Sequence, residues 1–223
     1  VLANEVLDAI PVPLVIKRGA SWLERGVSLD GDAFIYVDRA CPSGLLAQIP
    51  EAESLPDGYL TEVHPQQGGF MRMLADMLRN GSGGAAVLID YGFPAAEYYL
   101  PQRSAGTLMC HYRHHSHPEP FFHPGLQDIT AHVDFTAMAR AALEADLPVL
   151  AYMSQAAFLI QAGLPQLMQQ GAPEDARTWL PQANAVQKLT SPAEMGELFK
   201  VLIVGTTDNL PERFAMHDRS HRL

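Results

Sequence analysis

Two apolar runs of this chain end in carboxylates. VLANEVLDAIP (1–11) passes from Val1–Ala3 into Asn4, Glu5 and Asp8, and AAVLIDYG (85–92) ends in Asp90 and Tyr91. In open α/β sheets, ligands bind beyond the carboxyl ends of the strands. If the two runs are neighbouring strands, their acids share one crevice. The alternative is that they cap the turns or helices that follow. A second concentration of chemistry is CHYRHHSHPEPFFH (110–123), with His111, His114, His115, His117 and His123, and His132 follows soon after. Neutral imidazoles ligate zinc, but the spacing matches no ligand frame and neither Cys41 nor Cys110 completes one, so no metal site is expected. GSGG (81–84) precedes a strand instead of following one, so it reads as a turn and not as a phosphate cradle. No G-x-S-x-G elbow is present for a serine hydrolase.

The elements that must position these groups follow from periodicity. Val1–Ala3 reads as the end of a buried parallel strand. From Leu14 to Asp38, LVIK and FIYVD with turns at Arg18-Gly19 and Asp30-Gly31 predict two or three antiparallel strands. GYLTEVHP is a short strand or the approach to a helix. Gln66–Arg79 predicts a helix burying Phe70, Met73, Leu74, Met77 and Leu78, closed at Asn80-Gly81. The strand AAVLIDYG follows, and a helix before a buried strand suggests α/β winding. Residues 93–125 read as largely irregular and rich in Pro and His. Asp134 is placed to cap a helix to about Ala145 with Phe135, Met138, Ala142 and Leu143 inward. PVLAYMS predicts a strand, and QAAFLIQAG a helix ending at Gly163. Ser191-Pro192-Ala193-Glu194 has the form of a capping box opening a helix to about Phe199, and VLIVG reads as a last strand. Residues 206–223 read as a polar tail.

With 223 residues, 48% of them hydrophobic and 18% charged, the chain suffices for one large domain or a domain with an insertion. A formal net charge of -10 argues against a nucleic-acid partner and leaves a basic protein substrate open. The two cysteines stand in no redox or metal spacing, as in reduced intracellular proteins. No run is long and apolar enough for a transmembrane helix.

Six phrases in order, ANEVLDAIPV (3–12), VLIDYG (87–92), GTLMCHYRHH (106–115), PGLQDITAHVDF (124–135), SQAAFLIQAGL (154–164) and MGELFKVLIV (195–204), together resemble the C-terminal two thirds of the MidA-type S-adenosylmethionine-dependent methyltransferases. That family includes the mitochondrial arginine methyltransferase that assists complex I assembly. The resemblance implies a Rossmann-like, seven-stranded α/β methyltransferase fold. Residues 1–205 would be its C-terminal part, with an antiparallel insertion at 14–38 and a His/Pro-rich one at 93–125. The glycine-rich strand–loop–helix and acidic strand end that hold most of the cofactor in the family are absent. The chain opens on Val1 at what would be the fourth strand, so the fold is expected to be incomplete here, a fragment of a longer protein or a truncated relative.

On this resemblance the activity is methyl transfer from S-adenosyl-L-methionine to an arginine of a partner protein, a respiratory complex I subunit. Glu5, Asn4 and Asp8 are expected to be catalytic, with Asn4 and Glu5 also touching the cofactor. Asp90, Tyr91, His115, Asp128, His132 and Asp134 are expected on the substrate side. His132 would orient an acid or accept a proton, and Asp134 is equally well read as a helix cap. Gln155 and Phe158 match the family's helix, with core packing a sufficient account of Phe158. The guanidinium is always protonated in water, and a carboxylate can hold it bidentately with one nitrogen facing the electrophilic methyl group. The competing expectation is an inactive binding or assembly protein on the same fold. The antiparallel insertion offers a surface for a homodimer. The bacterial cytoplasm is the expected location, the mitochondrial matrix the alternative.

Overall fold

The computed structural model describes residues 1–170, 176–206 and 210–223. In chain order, the edge strand β1 (Leu2–Asn4) leads to an antiparallel ribbon of β2 (Leu14–Arg18), β3 (Ser21–Asp30) and β4 (Ala33–Ala40). A short α1 (Ser43–Leu46) and β5 (Leu60–Glu62) precede the long helix α2 (Gln67–Asn80). Strand β6 (Ala85–Phe93) follows, then α3 (Ala95–Tyr98), β7 (Met109–Tyr112), β8 (His115–His117), β9 (Asp128–Thr130) and β10 (Val133–Asp134). The chain continues through α4 (Phe135–Glu144), β11 (Val149–Ser154), α5 (Gln155–Ala162), α6 (Leu164–Gln169), α7 (Ala176–Thr190), α8 (Met195–Leu198) and β12 (Phe199–Gly205).

The main sheet runs β1-β6-β12-β11, with β10 paired to the end of β6. β1 and β6 are parallel neighbours, with Asn4 opposite Ile89, so the two acid-ended runs do lie side by side. β12 is antiparallel to both β6 and β11. Central strands of such a sheet are covered on both faces and need unbroken apolar sequence; FKVLIVG is buried throughout. One face packs under α2 and α4, where Met71, Leu74, Leu88, Val133, Met138, Ala142 and Leu202 form the largest core cluster. The other face holds Ile89, Met153, Val201 and Ile203 against Phe158 and Phe214. β2–β5 form a second sheet, and β7–β9 a third.

Several expectations are corrected. β1 is parallel as expected but not buried: Leu2 is 72% exposed, because β1 is an edge of the sheet. The insertion sheet recruits β5 and so has four strands. Helix α2 buries Gln67, Met71, Leu74, Ala75 and Leu78, leaving Met73 and Met77 half exposed; its apolar residues occupy two overlapping stripes, and contact with α4 selects one. Gly81 ends α2 in an extended conformation, and the left-handed turn falls on Gly83. Leu143 of α4 is 61% exposed, one position off the buried stripe. The 93–125 stretch is largely irregular as expected, with the short elements α3, β7 and β8 set within it. No capping box forms at Ser191–Glu194, because α7 runs to Thr190 and these residues are the turn into α8: the Glu194 and Gly196 N–H groups both donate to Ser191 O. Residues 210–223, expected as tail, pack down: Phe214 is buried, and Asp218 accepts a hydrogen bond from Tyr152 N at 2.8 Å. Positions 207–209 of the expected tail lie outside the described residues.

Candidate active site

The loop after β1 is tied to β6 by one carboxylate. Asp90 is fully buried; its Oδ2 accepts from Leu7 N at 2.9 Å and Asp8 N at 3.2 Å, and its Oδ1 from Tyr91 N at 2.9 Å. Burial, with nearby Asp8 second, pushes Asp90 up to about 7 against the pull of these three donors. Asp90 therefore shapes the loop and does not face the cleft. Glu5 N donates to Ile89 O at 3.0 Å, which leaves Glu5 exposed beyond the strand end in the left-handed region (φ 50). The Asn4 amide donates to Glu5 Oε1 at 3.1 Å.

A cleft of about 430 Å³ opens at this strand end, lined by Glu5, Asp8, Tyr91, Asp128 and His132 together with Met109, His111, Ser116, Thr130, Leu198 and Phe199. Five of the expected site residues thus meet there. The Tyr91 hydroxyl donates to Asp8 Oδ2 at 2.5 Å, and burial and this bond push the phenol upward. Asp8 is 6% exposed, and its Oδ1 has no hydrogen-bond partner among the described residues. The His132 ring stacks on Phe93 at 5.4 Å and meets Tyr91 edge-on at 5.1 Å. Burial first, then the positive charge of Arg103, brings His132 down to about 4, so it is neutral at pH 7. Its Nδ1 also has no partner among the described residues.

His115 lies off the cleft. In the three-stranded sheet, Met109 pairs with Thr130, and His111 pairs with both Ser116 and Asp128; all five line the cleft, one strand face with period two. His115, opposite Tyr112, belongs to the other face. The histidine of the cluster that faces the site is His111, and the register of β7 with β8 and β9 puts it there. Asp134 is also off the cleft: it is buried and caps α4, its Oδ1 accepting from Ala137 N at 3.0 Å. Burial raises its carboxyl.

Glu62, which the sequence reading passed over, holds the third sheet in place. Fully buried, it accepts from Thr107 N at 2.8 Å, Leu108 N at 2.9 Å, Thr107 Oγ1 at 3.0 Å and Tyr98 Oη at 3.0 Å. Thr107 Oγ1 in turn accepts from His132 N at 3.0 Å. An acid inside the apolar GYLTEV run was its only sequence signal. Among the described residues, no group of three or more His, Cys, Asp or Glu could hold a metal, and no helix is long and apolar enough to cross a membrane.

Residues 1–153 match the family model described as "Putative S-adenosyl-L-methionine-dependent methyltransferase". A crystal structure of a Burkholderia thailandensis protein bound to S-adenosyl-homocysteine is similar over 100% of this chain and 57% of that one, with 50% identity and a TM-score of 0.92. The mouse mitochondrial protein arginine methyltransferase NDUFAF7 is 28% identical over 207 residues, 89% of this chain and 44% of its own length. The Caenorhabditis elegans homologue is 31% identical over 137 residues, 60% of this chain and 30% of its own length. The chain therefore spans less than half of these curated relatives. It belongs to this S-adenosyl-L-methionine-dependent methyltransferase family.

Proposed function

We propose that this chain forms the acceptor side of a protein arginine methyltransferase. The observation that carries the reading is the Asp8 carboxylate, clamped at Oδ2 by Tyr91 with Oδ1 left over, in a cleft that also holds Glu5 and Asp128. Three carboxylates around one cleft suit a group that stays cationic when desolvated, and the guanidinium does so more reliably than an ammonium. Each charge-assisted hydrogen bond contributes about 1.5–3 kcal/mol. Asp8 and Glu5 orient the guanidinium, and neutral His132 is available to take up the proton released when a nitrogen is methylated. The names of the mouse and worm relatives support arginine as the acceptor. The sequence resemblance points to a respiratory complex I subunit as the partner.

The residues present fit the cofactor in kind. S-adenosyl-L-methionine is a sulfonium cation that supplies an electrophilic methyl group when bound, and the same carboxylates suit it. Within this chain, Asn4 and Glu5 at the end of β1 would hold it. The remaining strands of a seven-stranded sheet are inferred to stand on the free edge of β1, a reading supported by the exposed Leu2 and by the greater length of the relatives. The exposed apolar ribbon of β3 and β4, with Val27, Leu29, Phe34 and Val37, supports self-association there.

The test is mass spectrometry of arginine methylation with the full-length protein and a partner-protein substrate. Transfer is expected for the parent, and Glu5→Gln and Asp8→Asn are expected to lower it at least a hundredfold with circular dichroism unchanged. Cofactor binding without any transfer would replace this reading with an inactive assembly protein. Absence of cofactor binding by calorimetry would end it.

A further inference from the structure

Away from the cleft, a pocket of about 280 Å³ lies between the start of α2 and the outer side of α4. It is lined by Gln48, His64, Gln67 and Arg72, and by Arg140 and Glu144 of α4. Gln67 is 1% exposed, yet neither its Oε1 nor its Nε2 has a hydrogen-bond partner among the described residues. An amide buried with both ends unpaired is costly unless something else satisfies it. The sequence around it, HPQQGGF (64–70), is also unusual for the start of a 14-residue helix. No side chain caps α2, and the Gly68 and Gly69 N–H groups have no acceptor among the described residues. Those donors stand at the positive end of the helix dipole. Arg72 and Arg140 bring two guanidinium groups to the rim, and neither is in an ion pair with a described residue. Glu144 is the one acid of the lining.

We propose that this pocket is a binding site for a small oxyanion, a phosphoryl or carboxylate group held by Arg72 and Arg140 over the first turn of α2 and oriented by the Gln67 amide. Helix starts with free N–H groups bind such anions, and arginines match their planar or tetrahedral oxygens with paired donors. Gln67 adds a donor for the anion and an acceptor for a remaining hydroxyl, as on a phosphate monoanion or dianion. A buried chain connects the site to the cleft: His64 Nε2 lies 3.2 Å from Tyr98 Oη, which donates to Glu62, and Glu62 holds the Thr107 that receives His132 N. Neither the cleft residues nor methyl transfer is needed for the binding itself.

Titration calorimetry of inorganic phosphate and, separately, acetate into the full chain tests the site. Binding of one or both is expected, and which one binds identifies the phosphoryl or carboxylate source. Arg72→Ala with Arg140→Ala should weaken it by at least about tenfold, the loss of one charge-assisted contact or more. Gln67→Leu should weaken it as well, while Arg113→Ala on the distant 93–125 insertion should not. Gln67→Leu that raises the melting temperature and leaves anion binding unchanged would mean that the amide is merely a buried defect, and would overturn the proposal. So would the absence of binding by both anions, or binding that survives the arginine pair. Because the readout is anion binding, a failed methylation assay leaves this test intact.

Discussion

At the scale of single residues, Asp8 and Asp90 show how two acids one strand apart come to different uses. Asp90 is consumed by three backbone donors, whereas Asp8 keeps an oxygen in reserve because Tyr91 occupies only the other. Tyr91→Phe releases that clamp. The expected result in the full-length enzyme is a fall of about tenfold or more in kcat/KM for the protein acceptor, about the worth of one hydrogen bond to a charged group, with cofactor affinity unchanged by calorimetry; a purely structural tyrosine would change both or neither. Asp90 carries a pH signature. Its folded carboxyl is raised from 3.8 to about 7, so between these values the folded chain binds more protons than the unfolded one. The contribution of this group to stability is therefore fully present below about pH 4, declines as pH rises to about 7, and is level above that. Urea midpoints should show this falling component between pH 5 and pH 7, and Asp90→Asn should flatten it. A component that rises with pH at this site would contradict the assignment.

At the scale of elements, the site depends on two close approaches. β10 joins the end of β6 at Gly92, where a Cβ would lie 2.1 Å from Val133 O. Gly92→Ala must part these strands, and a loss of about 3 kcal/mol in urea unfolding is expected. The β7–β9 sheet hangs on Glu62. Glu62→Ala leaves the Thr107 and Leu108 N–H groups without the Oε1 that both use and should cost about 2–3 kcal/mol, with faster hydrogen exchange confined first to residues 106–112. Local patterns located several elements, including α2, β6, α4, α5 with its end at the left-handed Gly163, and β12, but passed over α6, α7 and the β7–β9 sheet. They misplaced the buried face of α2. Phe70, Met73, Leu74, Met77 and Leu78 make as good a stripe as Met71, Leu74, Ala75 and Leu78, and only the partner helix distinguishes them.

At the scale of the whole molecule, the C-terminal segment closes the back of the sheet. Asp218 accepts from Tyr152 N and Ser220 N, Arg219 pairs with Glu197 at 2.5 Å, and Phe214 stacks on Phe158 at 5.6 Å. Asp218→Ala should lower stability by about 1–2 kcal/mol, read as a lower thermal midpoint with methyl-transfer kinetics per folded molecule unchanged. A polar sequence concealed this role because its anchors are one aromatic and a few charges, whose partners lie some 60 or more positions earlier in the chain for Asp218.

The sequence by itself determined where the longer apolar runs become strands and helices, that acids stand at the ends of two strands, and, through six spaced phrases, which family the chain resembles. Those are local properties: side-chain periodicity, cap and turn residues, and short identities. Tertiary structure alone decided which acids are free. Pairing β1 beside β6 buried Asp90 and left Glu5 outside, and the Tyr91 hydroxyl took one oxygen of Asp8, whereas the capping of α4 by Asp134 was already legible in the sequence. It also decided that His111, not His115, faces the cleft, because the register of β7 with β8 and β9 sets which side of each strand looks inward, and a one-residue difference reverses it.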